Sequence, residues 1–407
     1  MRILIVANKV PYPPKDGGAI ATLSLATALA KAGTHIKLLS INTPKHYCAD
    51  QQIPHALKLE LNIETVFVDT TIKLHKALSN LLFSNLPYNA ERFINEAFRN
   101  RLTKILREKE FDVVQLEGLY LTPYIETIKQ HSTAKVALRA HNVEHEIWER
   151  TLVSQKNPLK KLYIKLITKR LKRMEQEAVM QIDLLVPISN RDKAKLIEIG
   201  CSAPSLTIPF GIEASNFYQT QAPNHNSRLQ VFHLGGLDWQ PNQDGLLWFI
   251  NHCWPLVLQA IPNARFTIAG RNAPKNLISQ LRGPGIEYIG EIENAKQFIA
   301  NSGVMVVPLR IGSGMRIKII EGMALGKAIV STAVGAEGID YTNGQNIMIG
   351  NSPKELAEAI VLLLTNSTLK QEIGLAAKTF ATQTYCIHTQ AEQLLNFYKK
   401  SMIQIKD

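Results

Sequence analysis

Apolar residues along the chain gather into short runs rich in valine and isoleucine, each followed by a stretch whose apolar positions recur at helical spacing. Unalternated apolar runs suit strands buried on both faces. Their regular exchange with helical patterns predicts β-α-β units around a parallel sheet. Residues 2–8, 35–41, 111–117, 135–140, 184–189 and 205–209 form one set of expected strands, and residues 229–234, 264–269, 285–289, 304–309 and 328–332 a second. Between them runs Gln219-Thr220-Gln221-Ala222-Pro223-Asn224-His225-Asn226-Ser227, polar and without period, which reads as a linker and sets a domain boundary within 210–228.

The expected fold class is α/β, two doubly wound Rossmann-like domains facing across a cleft, at 1–210 and 211–384. Both halves open with a strand and a glycine pair, Gly17-Gly18 and Gly235-Gly236, before a helical pattern such as 19–32, which Gly33 stops. In open α/β sheets, ligands bind at the carboxyl ends of the strands, so the cleft is where chemistry is expected.

Composition narrows the class. Of 407 residues, 45% are hydrophobic and 20% charged, with 23 Gly and 19 Pro, which suits a globular protein and excludes collagen, coiled coil and wholesale disorder. Lys and Arg number 46 against 34 Asp and Glu, and the net charge of +12 favours anionic partners. Neither a disulfide framework nor a zinc knot is expected, because Cys48, Cys201, Cys253 and Cys386 lie far apart. Only five consecutive apolar residues precede Asn8, and no run approaches a membrane span, so a cytoplasmic protein is expected.

The richest stretch for chemistry runs from Val306 to Lys327. An expected strand ends at Leu309, the Gly312-Ser313-Gly314 turn follows, and a helix opens near Gly314 and stops by Gly326. A glycine turn entering a helix offers free backbone N–H groups and the positive dipole end to phosphate. Arg316 can fork onto two phosphate oxygens and Lys318 adds a point charge. Glu321, one turn on, can accept from a ribose diol. The alternative is that Lys318 and Glu321 form an i,i+3 surface pair.

These residues carry a resemblance. The chain resembles the retaining glycosyltransferases of family 4, which have the GT-B fold. Specifically, it resembles the subgroup with Gly-x-Gly-x-Arg-x-Lys-x-x-Glu before an Ala-x-Gly-Lys turn. The resemblance covers Gly17-Gly18, His141-Asn142, Pro187-Ile188-Ser189, Ile208 to Ile212, the 231–249 segment and 306–338. It implies donor contacts from Gly17, Gly18, Gly236, Ser313, Gly314, Arg316, Lys318 and Glu321, and catalytic parts for His141, Arg316, Lys318 and Glu321. It also implies that a C-terminal helix at about 385–405 packs back on the first domain. Two departures stand out. Many relatives carry Glu-x7-Glu, but the first position here is Ser313. The loop from Gly235 to Asn242 holds no cation where relatives place Arg and Lys, so Arg316 and Lys318 are expected to reach the diphosphate from the neighbouring helix.

His141 follows an expected strand, and its counterpart in the family binds the donor sugar. His141-Asn142-Val143-Glu144-His145 also matches the His-x-x-Glu-His zinc-protease pattern in form, but that pattern needs both histidines inside one helix. Glu117 ends the 111–117 strand and either binds an acceptor hydroxyl or caps the next helix. Residues 77–93 read as core, with an acceptor groove as the alternative. Residues 159–173 interleave seven cations with Leu162, Leu166, Ile167 and Leu171. That pattern suits either a helix packed on the sheet or one lying on anionic lipid headgroups at the inner face of a membrane. No zinc finger, RNP-like pattern or basic tail supports nucleic-acid binding.

The expected function is transfer of a hexose-type sugar from a nucleotide-diphosphate donor to a glycan or lipid-linked acceptor. By the resemblance, transfer proceeds with retention and without metal or cofactor. A nucleotide-sugar epimerase and a non-catalytic nucleotide-sugar-binding protein are the alternatives.

Overall fold

The computed structural model of the chain describes residues 1–155, 157–213, 228–312 and 314–403. Ser313, and the expected linker at 219–227, lie outside the described residues. Two compact units emerge: unit 1 is Met1–Gly211 with Ile387–Asp407, and unit 2 is Ile212–Cys386.

In unit 1, strands β1 (Arg2–Ala7), β2 (His35–Asn42), β3 (Ile63–Phe67), β4 (Val113–Glu117), β5 (Lys135–Ala140) and β6 (Leu184–Pro187) form one parallel sheet in the order β3-β2-β1-β4-β5-β6. Alternate residues of β1 serve opposite faces, as the period-2 pleat requires. Ile3 and Ile5 join a core with Leu25, Leu29, Leu394 and Tyr398, whereas Leu4 and Val6 join Phe98, Leu102 and Tyr124 on the other face. Because helices cover both faces, the central strands read as unbroken apolar runs.

Unit 2 repeats the plan. Strands β7 (Gln230–Leu234), β8 (Arg265–Ala269), β9 (Ile286–Gly290), β10 (Val304–Val307), β11 (Ile329–Ser331) and β12 (Met348–Ile349) are parallel in the order β12-β11-β10-β7-β8-β9. In each sheet the order reverses beside its first strand, between β1 and β4 and between β7 and β10. These are the two topological switch points, where a crevice opens at the strands' carboxyl ends.

Three expectations need correction. β3 and β12 are edge strands with half-exposed residues, so neither carries the apolar run of a central strand. Residues 205–209 form no strand. They follow the β6 edge through a single bridge, Leu185 to Ser205, with Leu206 and Ile208 donating to Leu185 and Pro187, and Pro209 has no N–H to extend the ladder. Leu82 and Phe83, read as core, are exposed, while Tyr88 is buried.

The helix Gly17–Lys31 starts where the Asp16 carboxylate accepts from Ala19 N–H at 3.0 Å, and it ends before Gly33 at φ +84°. The C-terminal amphipathic pattern is the helix Ile387–Ile403 of unit 1. The four cysteines are free thiols. Among the described residues no helix is long and apolar enough to cross a membrane.

Candidate functional site at the two switch points

At the switch point of unit 2, β7 gives way to the loop Gly235–Trp239 and the helix Gln240–Trp248, while β10 gives way to the turn that enters the helix Ile317–Ala324. Lys318, in the first turn of that helix, reaches across to the β7 loop. Its Nζ donates to Asn242 Oδ1 at 3.2 Å and lies 3.5 Å from His233 Nε2. A Cβ on Gly235 would sit 3.2 Å from the same nitrogen, so this glycine leaves the space the ammonium fills.

His233 is fully buried with Nδ1 3.1 Å from the Val306 carbonyl. A carbonyl accepts only, so Nδ1 carries the proton and Nε2 turns its lone pair to Lys318; this tautomer is assigned from the hydrogen-bond network. Burial, and then the charge of Lys318, hold His233 well below the ordinary histidine range, so it remains neutral. Burial, with the Arg316 charge second, lowers Lys318 to about 7.

Arg316 caps the same helix and is itself buried, its guanidinium carbon 5.0 Å from the Trp239 ring centroid. Gly312, at φ +131°, flanks it closely: a Cβ there would lie 2.5 Å from Nη2. A planar cation thus packs by cation–π contact against an aromatic ring that starts the next helix. Glu321 is half-buried one turn beyond Lys318, and burial raises its carboxyl to about 6 against the lowering pull of Lys296. Among the described residues Lys318 and Glu321 form no ion pair, and Lys318 turns to Asn242 instead of the surface partner that the i,i+3 alternative requires. Gly314 takes φ +82°, and Gly236 accepts from Asn242 Nδ2 at 2.8 Å.

At the switch point of unit 1, Glu117 ends β4 buried among four donors. Thr22 Oγ1 donates at 2.7 Å, Gln115 Nε2 at 2.5 Å and Arg139 Nη1 at 3.3 Å, while His141 Nε2 stands 2.8 Å away. Burial pushes the Glu117 carboxyl up, but Arg139, His141 and Thr22 together outweigh it and hold Glu117 at about 2. A carboxylate so enclosed serves to hold the ring of His141, the one partly exposed member of the cluster. Glu117 does not cap the following helix; Gly118, at φ +100°, intervenes. Tyr398 of the C-terminal helix donates to Gln115 Oε1 at 2.7 Å, behind the same cluster.

Gly17 and Gly18 open the first helix beside the Lys9–Asp16 pair, whose atoms are 2.5 Å apart. A groove of about 520 Å³ follows this edge of the sheet, lined by Asn8, Lys9, Lys45, His46, Arg92 and Tyr120 among others, with no acid in its lining. The zinc-protease pattern comes apart in space. His141 faces Glu117, His145 is held by Glu175 at 2.5 Å, and among the described residues no three potential ligands gather.

Gly236, Gly314, Arg316, Lys318 and Glu321 therefore share the unit 2 switch point, while Gly17, Gly18, Glu117 and His141 share unit 1. Sequence reasoning missed His233, Asn242 and Trp239, and in unit 1 Thr22, Gln115, Arg139 and Tyr398. The position of His233 and Asn242 on either side of the Gly235-Gly236 pair was the available signal.

Residues 228–366 match the family model described as Glycosyl transferases group 1. An uncharacterized 44.6 kDa protein in the cps region of Klebsiella pneumoniae is 24% identical over 94% of this chain and 96% of its own. An uncharacterized glycosyltransferase of Methanocaldococcus jannaschii is 30% identical over 26% of this chain and 30% of its own. The crystal structure of Anabaena HepE in complex with UDP is similar with a TM-score of 0.68 at 14% identity, covering 98% of this chain and 100% of that one. The fold is GT-B. Unit 2 carries a group 1 glycosyl transferase domain, and the protein is an enzyme of the glycosyltransferase class.

Proposed function

We propose that the enzyme is a retaining family 4 transferase that moves a hexose-type sugar from a nucleoside diphosphate donor to a glycan or lipid-linked acceptor in the cytoplasm. The observation that carries this reading is the meeting of Lys318 with Asn242 and of Arg316 with Trp239, on either side of the turn that follows Gly235-Gly236 at the β7/β10 switch point. Two cations and a glycine loop at one strand end suit a diphosphate. UDP is the first nucleotide to consider, because HepE is solved with it.

Transfer breaks the bond from the anomeric carbon to the phosphate oxygen and forms one to the acceptor oxygen on the same face. The acceptor proton passes to the departing phosphate. Negative charge grows on the leaving diphosphate, and Arg316 and Lys318 are placed to stabilise it, the part a divalent ion plays elsewhere. Glu321 accepts from the ribose, and the resemblance assigns His141, oriented by Glu117, to the sugar. The acid-free groove of unit 1 suits the acceptor.

The test is thermal shift with UDP, GDP and ADP and their sugar conjugates in the presence of EDTA, followed by assay of nucleotide release. A ligand at 100 times its Kd stabilises by about 2.7 kcal/mol. Arg316→Ala is expected to lose most of the shift and about two orders of magnitude in turnover, the scale for one aimed charge-stabilising contact. Absence of any shift in folded protein overturns the reading. Binding of a sugar nucleotide with no release of nucleotide, with or without acceptors, makes the protein a binding module.

A further inference from the structure

We propose that unit 1 carries a docking surface for an anionic lipid bilayer, built jointly by the helix Leu74–Phe83 and the N-terminal half of the helix Pro158–Gln181. Leu74, Leu78 and Leu82 are each at least 60% exposed and follow one another at i, i+4 and i+8 along one helix face, and Phe83, the last residue of the helix, is 85% exposed. Ile72, just before that helix, is 70% exposed, and Leu159 and Leu162 are 79% and 69% exposed at the start of the other. Single exposed leucines are ordinary on a soluble protein, but a concentration of this size marks a surface that something covers.

Arg170 joins the two helices. Its guanidinium donates to the carbonyl and Oδ1 of Asn80 at 3.1 and 3.2 Å and to the Leu81 carbonyl at 2.9 Å. Leu159, Leu162 and Leu166 precede Arg170 at steps of three and four, so all four share one stripe, and that stripe is the side on which Leu74–Phe83 lies. The buried stripe of the same helix, including Ile164, Ile167 and Leu171, is a different one, turned to the body of unit 1.

Charge selects the occupant. From Thr70 to Ala90 and from Pro158 to Met174 the sequence contains no acid. Lys161, Lys165 and Lys169 form a stripe beside the exposed leucines and make no ion pair among the described residues. A basic stripe alone suits a solvated helix; a basic stripe bordering a broad exposed apolar face suits the boundary between headgroups and acyl chains of an anionic leaflet. The proposal rests on exposed helices of unit 1 that the donor reading does not use.

The experiment is co-flotation of the full chain with vesicles of equal parts phosphatidylcholine and phosphatidylglycerol, against phosphatidylcholine alone. Binding is expected to the anionic vesicles, weakening as salt rises and the Debye length shrinks from about 10 Å at 0.1 M to about 3 Å at 1 M. Each of Lys161→Glu, Lys165→Glu and Lys169→Glu should lower the partition coefficient about fivefold or more, from roughly 1 kcal/mol per cation near such a surface. Leu82→Glu with Phe83→Glu should abolish flotation, with the circular dichroism spectrum, melting midpoint and nucleotide shift unchanged, since both side chains are exposed.

Failure of the wild-type chain to float with anionic vesicles overturns the proposal, as does flotation that neither set of substitutions alters. If light scattering shows a dimer that Leu82→Glu with Phe83→Glu dissociates, and no flotation occurs, a second copy covers the face instead. Nucleotide shifts measured on the same samples keep this result separate from the fate of the donor reading.

Discussion

Lys318 and Glu321 stand one helical turn apart, and burial moves their proton affinities toward each other, to about 7 and about 6. The lysine is charged below about 7 and the glutamate ionised above about 6. A diphosphate favours the ammonium and a ribose diol favours the carboxylate, so the donor-competent form is most populated between those values. UDP affinity should therefore follow a bell with its maximum between pH 6 and 7. Calorimetry across pH 5 to 9 should find that Lys318→Met removes the alkaline limb and Glu321→Gln the acid limb; a flat profile in the unmodified enzyme would refute the assignment. His233 takes no part in this titration, since burial keeps it neutral throughout. Arg316, Lys318 and Glu321 were legible in the sequence because one short motif holds all three. Asn242 and His233 lie 76 and 85 positions from Lys318, and no local pattern records which nitrogen will meet which oxygen once β7 and β10 are paired.

Among the elements, the helix Gln240–Trp248 owes its seat to Gly245, where a Cβ would lie 2.5 Å from the Pro308 carbonyl oxygen and 3.1 Å from its carbon. Both are backbone atoms in the turn that leads to Arg316, so neither can swing aside as a side-chain tip would. Gly245→Ala sets a gain in helix propensity of up to about 1 kcal/mol against overpacking of about 1–3 kcal/mol. Packing should win. The expected result is a melting midpoint lowered by about 2–4 °C for each kcal/mol and weaker UDP binding; a raised midpoint would show that the contact yields. The same contest between local and tertiary terms explains which elements were legible. Central strands such as β1 and β4 announce themselves by unbroken apolar runs. β3 and β12 do not, because an edge strand needs only part of its surface buried. Leu81-Leu82-Phe83 reads as core for the same reason in reverse: composition records hydrophobicity but not what covers it.

At the scale of the whole molecule, the two units differ in how the chain completes them. Unit 2 is one continuous segment, closed where Ile212 N–H donates to the Tyr385 carbonyl at 2.6 Å, and it has its own core around Phe249, Trp254 and Phe266. Unit 1 is discontinuous and depends on the helix Ile387–Ile403, which packs on Gly17–Lys31. Ile387, Leu394, Leu395 and Tyr398 are buried from that helix into the core shared with Ile3, Ile5 and Leu25. Burial of one such side chain contributes about 1.5–3 kcal/mol, so the four together supply roughly 6–12 kcal/mol. That is comparable to the entire stability of about 5–15 kcal/mol typical of a folded protein. Truncation after Cys386 should therefore unfold unit 1, and with it the buried seat of Glu117 behind His141, which Tyr398 closes through Gln115. The fragment 212–386 should melt cooperatively and keep the UDP shift, because Lys318, Arg316, His233 and Asn242 all lie within it. Calorimetry of both fragments checks this: a 1–386 chain that retains two cooperative transitions would show that unit 1 does not depend on the helix Ile387–Ile403, and a 212–386 fragment that fails to fold would show that unit 2 does not stand on its own core.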